Sequence, residues 1–173
     1  MRALVVYESM FGNTRAVATA IARGLATRMA VDVFEVGAAP DRVDDGVDLV
    51  VAGGPTHAFS MSRPNTRKSA ADQADEPLVS AGRGLRDWLD AAGPTLRGRA
   101  VATFDTKIEK AYLPGSAARS AHKRLRRLGC RPVAPAENFV VLGTAGPLAD
   151  GELDRATRWG EHLTTLTDEP ATV

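Results

Sequence analysis

The residues with the clearest chemistry are Ser9, Met10, Phe11, Gly12, Asn13 and Thr14, in the run Tyr7-Glu8-Ser9-Met10-Phe11-Gly12-Asn13-Thr14-Arg15. Hydroxyls stand at Ser9 and Thr14 and a carboxamide at Asn13, and Gly12 lets the backbone come close to a ligand. An apolar run precedes this segment and a helical pattern follows it, so it reads as a strand-to-helix turn. The N–H groups at a helix start lack carbonyl partners, and the helix dipole favours an anion there. The segment can therefore wrap a phosphate without a lysine. It is neither a Walker A loop, since Gly-Lys-Ser/Thr is absent, nor Gly-x-Gly-x-x-Gly. The plain alternative is an Asn-capped turn with no ligand.

The elements that must hold this turn follow from the pattern of the chain. Residues 2–7 are β-rich with few polar groups, which suits a central strand covered on both faces. Val17, Ala20, Ile21, Gly24 and Leu25 make the apolar face of the first helix. A more polar strand, nearer an edge, is predicted at 31–36, with room for a short helix in 37–46. A third strand is predicted at 47–53, ended by Gly54-Pro55. A long polar stretch follows over 56–77, and stretches of that kind are often functional. Leu85, Trp88, Leu89 and Ala92 mark a helix stopped by Gly93-Pro94. A fourth strand at 99–104 and a loop at 105–115 come next. A helix capped by Ser116 carries Ala118, Ala121, Leu125 and Leu128 inward and ends at Gly129. Two short strands, 131–134 and 139–142, flank Pro135. The last helix starts near Asp150, with Leu153, Ala156, Gly160, Leu163 and Leu166 inside and Trp159 on the flank.

This alternation implies a parallel sheet with helices on both faces. The length, 173 residues, suits one domain over 1–168 with a polar tail at 169–173. No apolar run is long enough to span a membrane, and no signal-peptide core is visible. Cys130 is the single cysteine, so no internal disulfide or Cys/His metal cluster is expected. It reads as a small buried hydrophobe, and a reducing cytoplasm is the simplest compartment. A net charge of +1 argues against nucleic acid as a partner. The Ala- and Arg-rich composition points to a bacterial source.

Ser-x-Phe-Gly-Asn-Thr directly after the first strand resembles the FMN phosphate loop of the flavodoxin family, and the resemblance covers nearly the whole chain. Phe11 stands where the family has a threonine, so backbone N–H groups would carry more of the phosphate. The resemblance implies an α/β three-layer sandwich, with a five-stranded parallel sheet of order 2-1-3-4-5. Ligands bind such folds where the strand order reverses, between strands one and three. It also implies two loops around the flavin ring. The first is Pro55, Thr56, His57, Ala58 and Phe59, with His57 and Phe59 as stacking candidates and His57 also a candidate for the ring's polar edge. The second is Thr103, Phe104, Asp105, Thr106 and Lys107, closed by Gly115. There the main chain of Asp105 and Thr106 would meet the polar edge, and Lys107 would bring a positive charge to it. Tyr112 is a candidate for the outer ring face. For each of these side chains, plain packing or solvation is the competing reading.

Two features depart from the family pattern. Electron-carrier flavodoxins are usually strongly acidic, whereas this chain is near neutral and carries a basic stretch, Arg119, Lys123, Arg124, Arg126, Arg127 and Arg131. That stretch is either a solvated helix face or a dock for an acidic partner at 119–127. Met61 to Lys68 also places Arg63, Arg67 and Lys68 beside the expected ring edge. Three functions stay open. One is an FMN electron carrier working with a redox partner protein. Another is an FMN-dependent NAD(P)H:quinone-type oxidoreductase with a small electron acceptor. The last is an interaction domain binding another phosphorylated ligand or none.

Overall fold

The computed structural model describes residues 1–109 and 114–167, so Tyr112 and the tail at 169–173 lie outside the described residues. In chain order the elements are β1 (Arg2–Tyr7), α1 (Asn13–Leu25), β2 (Ala30–Glu35), β3 (Leu49–Pro55), α2 (Pro64–Asp72) and α3 (Leu85–Leu96). They continue with β4 (Ala100–Ile108), α4 (Ala117–Arg127), β5 (Arg131–Pro132), β6 (Glu137–Val141) and α5 (Glu152–Thr167). The named strands pair in parallel in the order β2-β1-β3-β4-β5, and β6 also pairs with β4. β5 and β6 are two halves of one edge strand. β5 lies beside Ala100 and Val101, and β6 beside Phe104 to Ile108. The doubly wound fold and its strand order are those expected from the sequence.

Each face of the sheet has its own core. Val17, Ile21 and Leu25 of α1 pack with Ala156 and Leu163 of α5 over one face. Trp88 and Leu89 of α3 pack with Ala121 and Leu125 of α4 over the other. α1 and α5 touch backbone to backbone. A Cβ added at Gly24 would lie 2.0 Å from the Thr157 carbonyl oxygen, and one at Gly160 would lie 2.2 Å from that of Ile21. That close approach holds the C-terminal half of α1 against α5.

Several elements differ from the sequence expectation. β4 runs four residues past Phe104 because it has ladder partners on both sides, β3 through Pro55 and β6 through Val141. Thr103, Phe104 and Asp105 are therefore buried strand residues rather than part of a flavin loop. α3 does not stop at Gly93-Pro94 but continues to Leu96. A proline inside a helix costs about 3 kcal/mol. Burial of Ala92, Gly93 and Leu96 offsets it. No helix forms in 37–46. There, guanidinium groups take the backbone carbonyls, Arg83 from Val36 and Ala39 and Arg99 from Val43 and Val47. Leu153 is exposed, not inward. α5 instead turns Glu152 inside, where its carboxylate accepts from the Val140 N–H at 2.6 Å and pairs with Arg155. Arg155 holds the Glu152 carboxyl below its usual range. Finally, the long stretch after β3 contains α2.

Candidate functional site

α1 starts at Asn13 behind Gly12, whose φ of 97° is open to glycine at little cost. Gly12 offers no side-chain cap, and the first turn holds no acidic residue. The N–H groups of that turn thus face outward without a carbonyl partner in the helix and without a negative charge. Ser9 shapes the turn, as its Oγ accepts from the Gly12 N–H at 3.1 Å and keeps its own O–H free to donate. The Thr14 and Thr106 hydroxyls meet at 2.7 Å, tying the helix start to the end of β4. Asn13 donates from Nδ2 to the Ala145 carbonyl at 3.0 Å, which holds the β6–α5 connection against the loop. Both side chains expected at the phosphate therefore also brace its surroundings.

A cleft of about 340 Å³ opens from this loop across the carboxyl ends of β1, β3 and β4. Pockets of roughly 300–1,000 Å³ suit cofactors and small molecules. Of the residues expected at the site, Ser9, Met10, Phe11, Asn13, Thr14, Pro55, Thr56, His57, Ala58, Thr106 and Lys107 line it. Gly12 sits within the loop without lining the cleft. Phe59 does not line it either. Ala58 and Phe59 both have positive φ, 44° and 74°, at the tip of a tight turn closed by the His57 and Ser60 backbones. The turn carries Phe59 out to 52% exposure instead of over the cleft. Such backbone costs of order 1–3 kcal/mol per residue in non-glycine positions.

The second expected ring loop is largely internal. Phe104 packs edge-on against Phe139 and Trp159 in the core. Thr103 is fully buried in the sheet. The Asp105 carboxylate is a clamp. It accepts from Thr56 Oγ1 at 2.9 Å, Ser116 Oγ at 2.5 Å, the Ala118 N–H at 3.0 Å and Asn138 Nδ2 at 2.7 Å. β3, β4, α4 and β6 are thereby pinned at one point. The Thr56 hydroxyl is spent in this clamp, since it donates to Asp105 and accepts from the Ala117 N–H. Lys107 lines the cleft but donates from Nζ to the Gly115 carbonyl at 3.0 Å, so it is anchored rather than free. Gly115 lies off the cleft, pressed so closely on Phe59 that an added Cβ would meet its carbonyl oxygen at 2.2 Å. Burial, and secondarily Arg67, lowers the pKa of His57. His57 is therefore neutral at pH 7 and offers a hydrogen bond rather than a charge.

One wall was not foreseen. Thr66, Ser69, Ala70 and Gln73 line the cleft from α2 and its end, with the spacing i, i+3, i+4, i+7 that puts four residues on one helix face. Pro64 at the helix start was the readable signal, because proline favours the first helical position. The cations of this segment are mostly engaged. Arg67 donates to Ser62 Oγ at 3.0 Å and pairs with Asp87 at 3.1 Å, and Lys68 pairs with Asp72 at 2.9 Å. Ile108, Val141 and Thr144 complete the wall on the β4–β6 side.

Behind α2 lies Glu8, fully buried next to the phosphate-type loop. Its carboxylate accepts from the Leu85 N–H at 2.7 Å and from the Ser62 hydroxyl. Burial pushes its pKa up. Ser80 returns to the same loop, accepting from the Ser9 N–H at 2.9 Å and donating its own N–H to the Ser9 carbonyl at 2.7 Å. The whole 56–84 excursion is thus tied to β1.

No family model and no curated protein sequence matches the chain. Solved structures do. A flavodoxin from the domain Archaea superposes with a TM-score of 0.69 at 22% identity, over 98% of this chain and 100% of that one. Flavodoxin 1 from Bacillus cereus gives 0.65 at 16% identity, over 95% and 98%. This is a flavodoxin-like fold. The same fold appears as part of a larger protein in rubredoxin oxygen:oxidoreductase from Desulfovibrio gigas, with a TM-score of 0.65 at 12% identity over 97% of this chain and 37% of that one. On the flavodoxin-like sheet, the cleft sits where the order reverses between β1 and β3. The two ends of the cleft differ in chemistry. Unpaired N–H donors and hydroxyls stand at one end, and at the other Pro55, neutral His57, Ile108 and Val141.

Proposed function

We propose that this chain binds FMN in the cleft and carries electrons between a redox partner and an acceptor. The observation that carries the proposal is the continuity of the cleft with the α1 start, where unneutralised N–H donors meet a pocket of cofactor size. Ser9, Asn13 and Thr14, with the Phe11 main chain, would hold the phosphate. His57, Thr106 and Lys107 would stand at the ring. Bound FMN supplies the electron-transfer chemistry, and the protein supplies orientation and field. The neutral imidazole of His57 offers a hydrogen bond to a polar ring edge. Lys107, fixed by Gly115, holds a positive charge along the wall. The single thiol, buried Cys130, has its pKa pushed up to about 11 and supports a structural role in a reducing cytoplasm.

Titration of the apoprotein with FMN, followed by fluorescence quenching, tests the proposal. Saturable 1:1 quenching is expected. No uptake, with no flavin absorbance in the purified protein, would leave a flavodoxin-fold domain for another phosphorylated ligand or none.

A second reading has its own support in α2. A polar α2 wall, with Ser69 and Gln73 lining the cleft, suits a pocket for a small second substrate and so an FMN-dependent NAD(P)H:quinone-type reductase. Direct oxidation of NAD(P)H by the FMN-loaded protein, coupled to quinone reduction, would favour the reductase. A requirement for a separate reductase would favour the carrier.

A further inference from the structure

The net charge of +1 conceals a strong separation of charge. Residues 32–48 contain Asp32, Glu35, Asp41, Asp44, Asp45 and Asp48 against one cation, Arg42. Between Glu109 and Glu137 there is no acidic residue at all, and the segment carries six arginines and lysines besides Lys110. β2 and β5 stand at opposite edges of the sheet, but the acidic segment runs back from β2, so that Asp48 accepts from the Arg2 N–H of β1 and Asp45 meets Arg99 just before β4. Three of the six carboxylates are paired, Asp32 with Arg2, Asp41 with Arg83 and Asp45 with Arg99.

The basic segment is less engaged. On α4, Arg124 pairs with Asp90, but Arg119, Lys123, Arg126 and Arg127 are exposed and make no ion pair among the described residues. The upper part of this helix reaches the cleft mouth. Ser120 Oγ and Ser60 Oγ are 2.9 Å apart, which sets α4 against the turn that carries exposed Phe59. Arg63, also exposed and unpaired among the described residues, stands close enough to Arg86 to lower that residue's pKa, after the larger effect of burial. An apolar ring in a costly backbone turn thus sits at the cleft rim, with cations on both sides.

We infer that the face formed by Phe59, Arg63, Arg119 and Lys123 docks a partner protein with an acidic surface beside the cleft. A rim of charge around an exposed aromatic anchor is the anatomy of a protein–protein contact. Unpaired cations on this face attract a negative partner and speed encounter. That electrons cross at this contact rests on the FMN reading above, whereas the preference for an acidic protein surface does not.

The test uses a synthetic acidic peptide of alternating Glu and Ala as probe, titrated into the full chain at low salt and followed by amide chemical shifts. Shifts clustered at Phe59, Arg63, Arg119 and Lys123, and suppressed by salt, are expected. The R119E/K123E variant should weaken peptide binding about ten-fold or more while leaving FMN uptake unchanged. Shifts scattered over the surface would overturn the inference. Equal binding by the variant would overturn it too, as would single-stranded RNA binding the same face more tightly than the peptide. Concentration-dependent shifts at this face without any probe would assign it to contact with a second copy, again overturning it. Failure of FMN uptake with intact peptide binding would sink the flavin reading alone.

Discussion

The two ends of the cleft are built on different principles. At the phosphate-type end, one continuous segment, Ser9 to Thr14, supplies the donors, and the start of α1 aims them. At the end expected to take a ring, the wall comes from β3, β4, β6 and α2, four segments far apart in sequence. Local backbone geometry suffices for the first. The second exists only because Asp105 gathers its donors from three other elements and because Glu8 and Ser80 hold the α2 excursion down. A local site tolerates the loss of one contact, whereas a gathered site depends on its clamps.

The largest effect should come from breaking the clamp. Asp105→Ala removes a buried acceptor from four donors, each unsatisfied group costing roughly 1–3 kcal/mol. Partial relaxation leaves an expected destabilisation of about 3–5 kcal/mol, read as a lowered urea midpoint with little change in slope. A loss below about 1 kcal/mol would mean that the ring end does not hang on this carboxylate.

At the other end, Thr14→Ala and Asn13→Ala should each weaken FMN binding by about ten-fold or more, a charge-assisted contact being worth roughly 1.5–3 kcal/mol. Stability should fall by only about 1 kcal/mol, through the lost Thr106 or Ala145 contact. If unfolding suffers as much as affinity, the contrast between the two ends fails.

Glu8 gives a subtler test. Its folded pKa is raised by burial, so the folded state holds the proton more tightly than the unfolded one. This contribution is fully present below the unfolded carboxyl pKa and is lost as pH rises through the folded pKa. Urea unfolding across that window should show the wild-type chain losing stability relative to Glu8→Gln, which cannot titrate. Parallel profiles would show that the carboxyl ionises as freely in the folded chain as in the unfolded one.

The smallest effect is expected at the α2 wall. Ser69→Ala and Gln73→Ala should leave stability unchanged and alter FMN affinity by no more than a few-fold. If the pocket takes a second substrate, the same variants should raise KM for the quinone more than they change kcat.

Much of this architecture was legible. Alternation of β-rich runs with apolar faces at helical spacing led to the doubly wound sheet, and Ser116 and Gly129 bounded α4 as their capping chemistry requires. The end of β4 was not legible, because Asp105, Thr106 and Lys107 look polar enough for a loop. Only a neighbour on each side, β3 and β6, makes them strand. The phase of α5 at its first turn was not legible for a similar reason. Glu152 is buried there because Arg155 and the Val140 N–H await it, which no periodicity reveals.

The sequence by itself determined the phosphate-type turn, since a strand, a glycine and a helix start with free N–H groups are all properties of adjacent residues. It likewise determined the separation of acidic and basic segments, though not that Arg2, Arg83 and Arg99 would pair with three of the acidic residues. Tertiary structure alone decided the rest of the cleft. It turned Phe59 outward, spent the Thr56 hydroxyl in a clamp, neutralised His57 by burial and brought α2 in as a wall. The physical reason is that hydrogen-bond satisfaction and desolvation depend on which distant groups come near, and the chain does not carry that information within any one local segment.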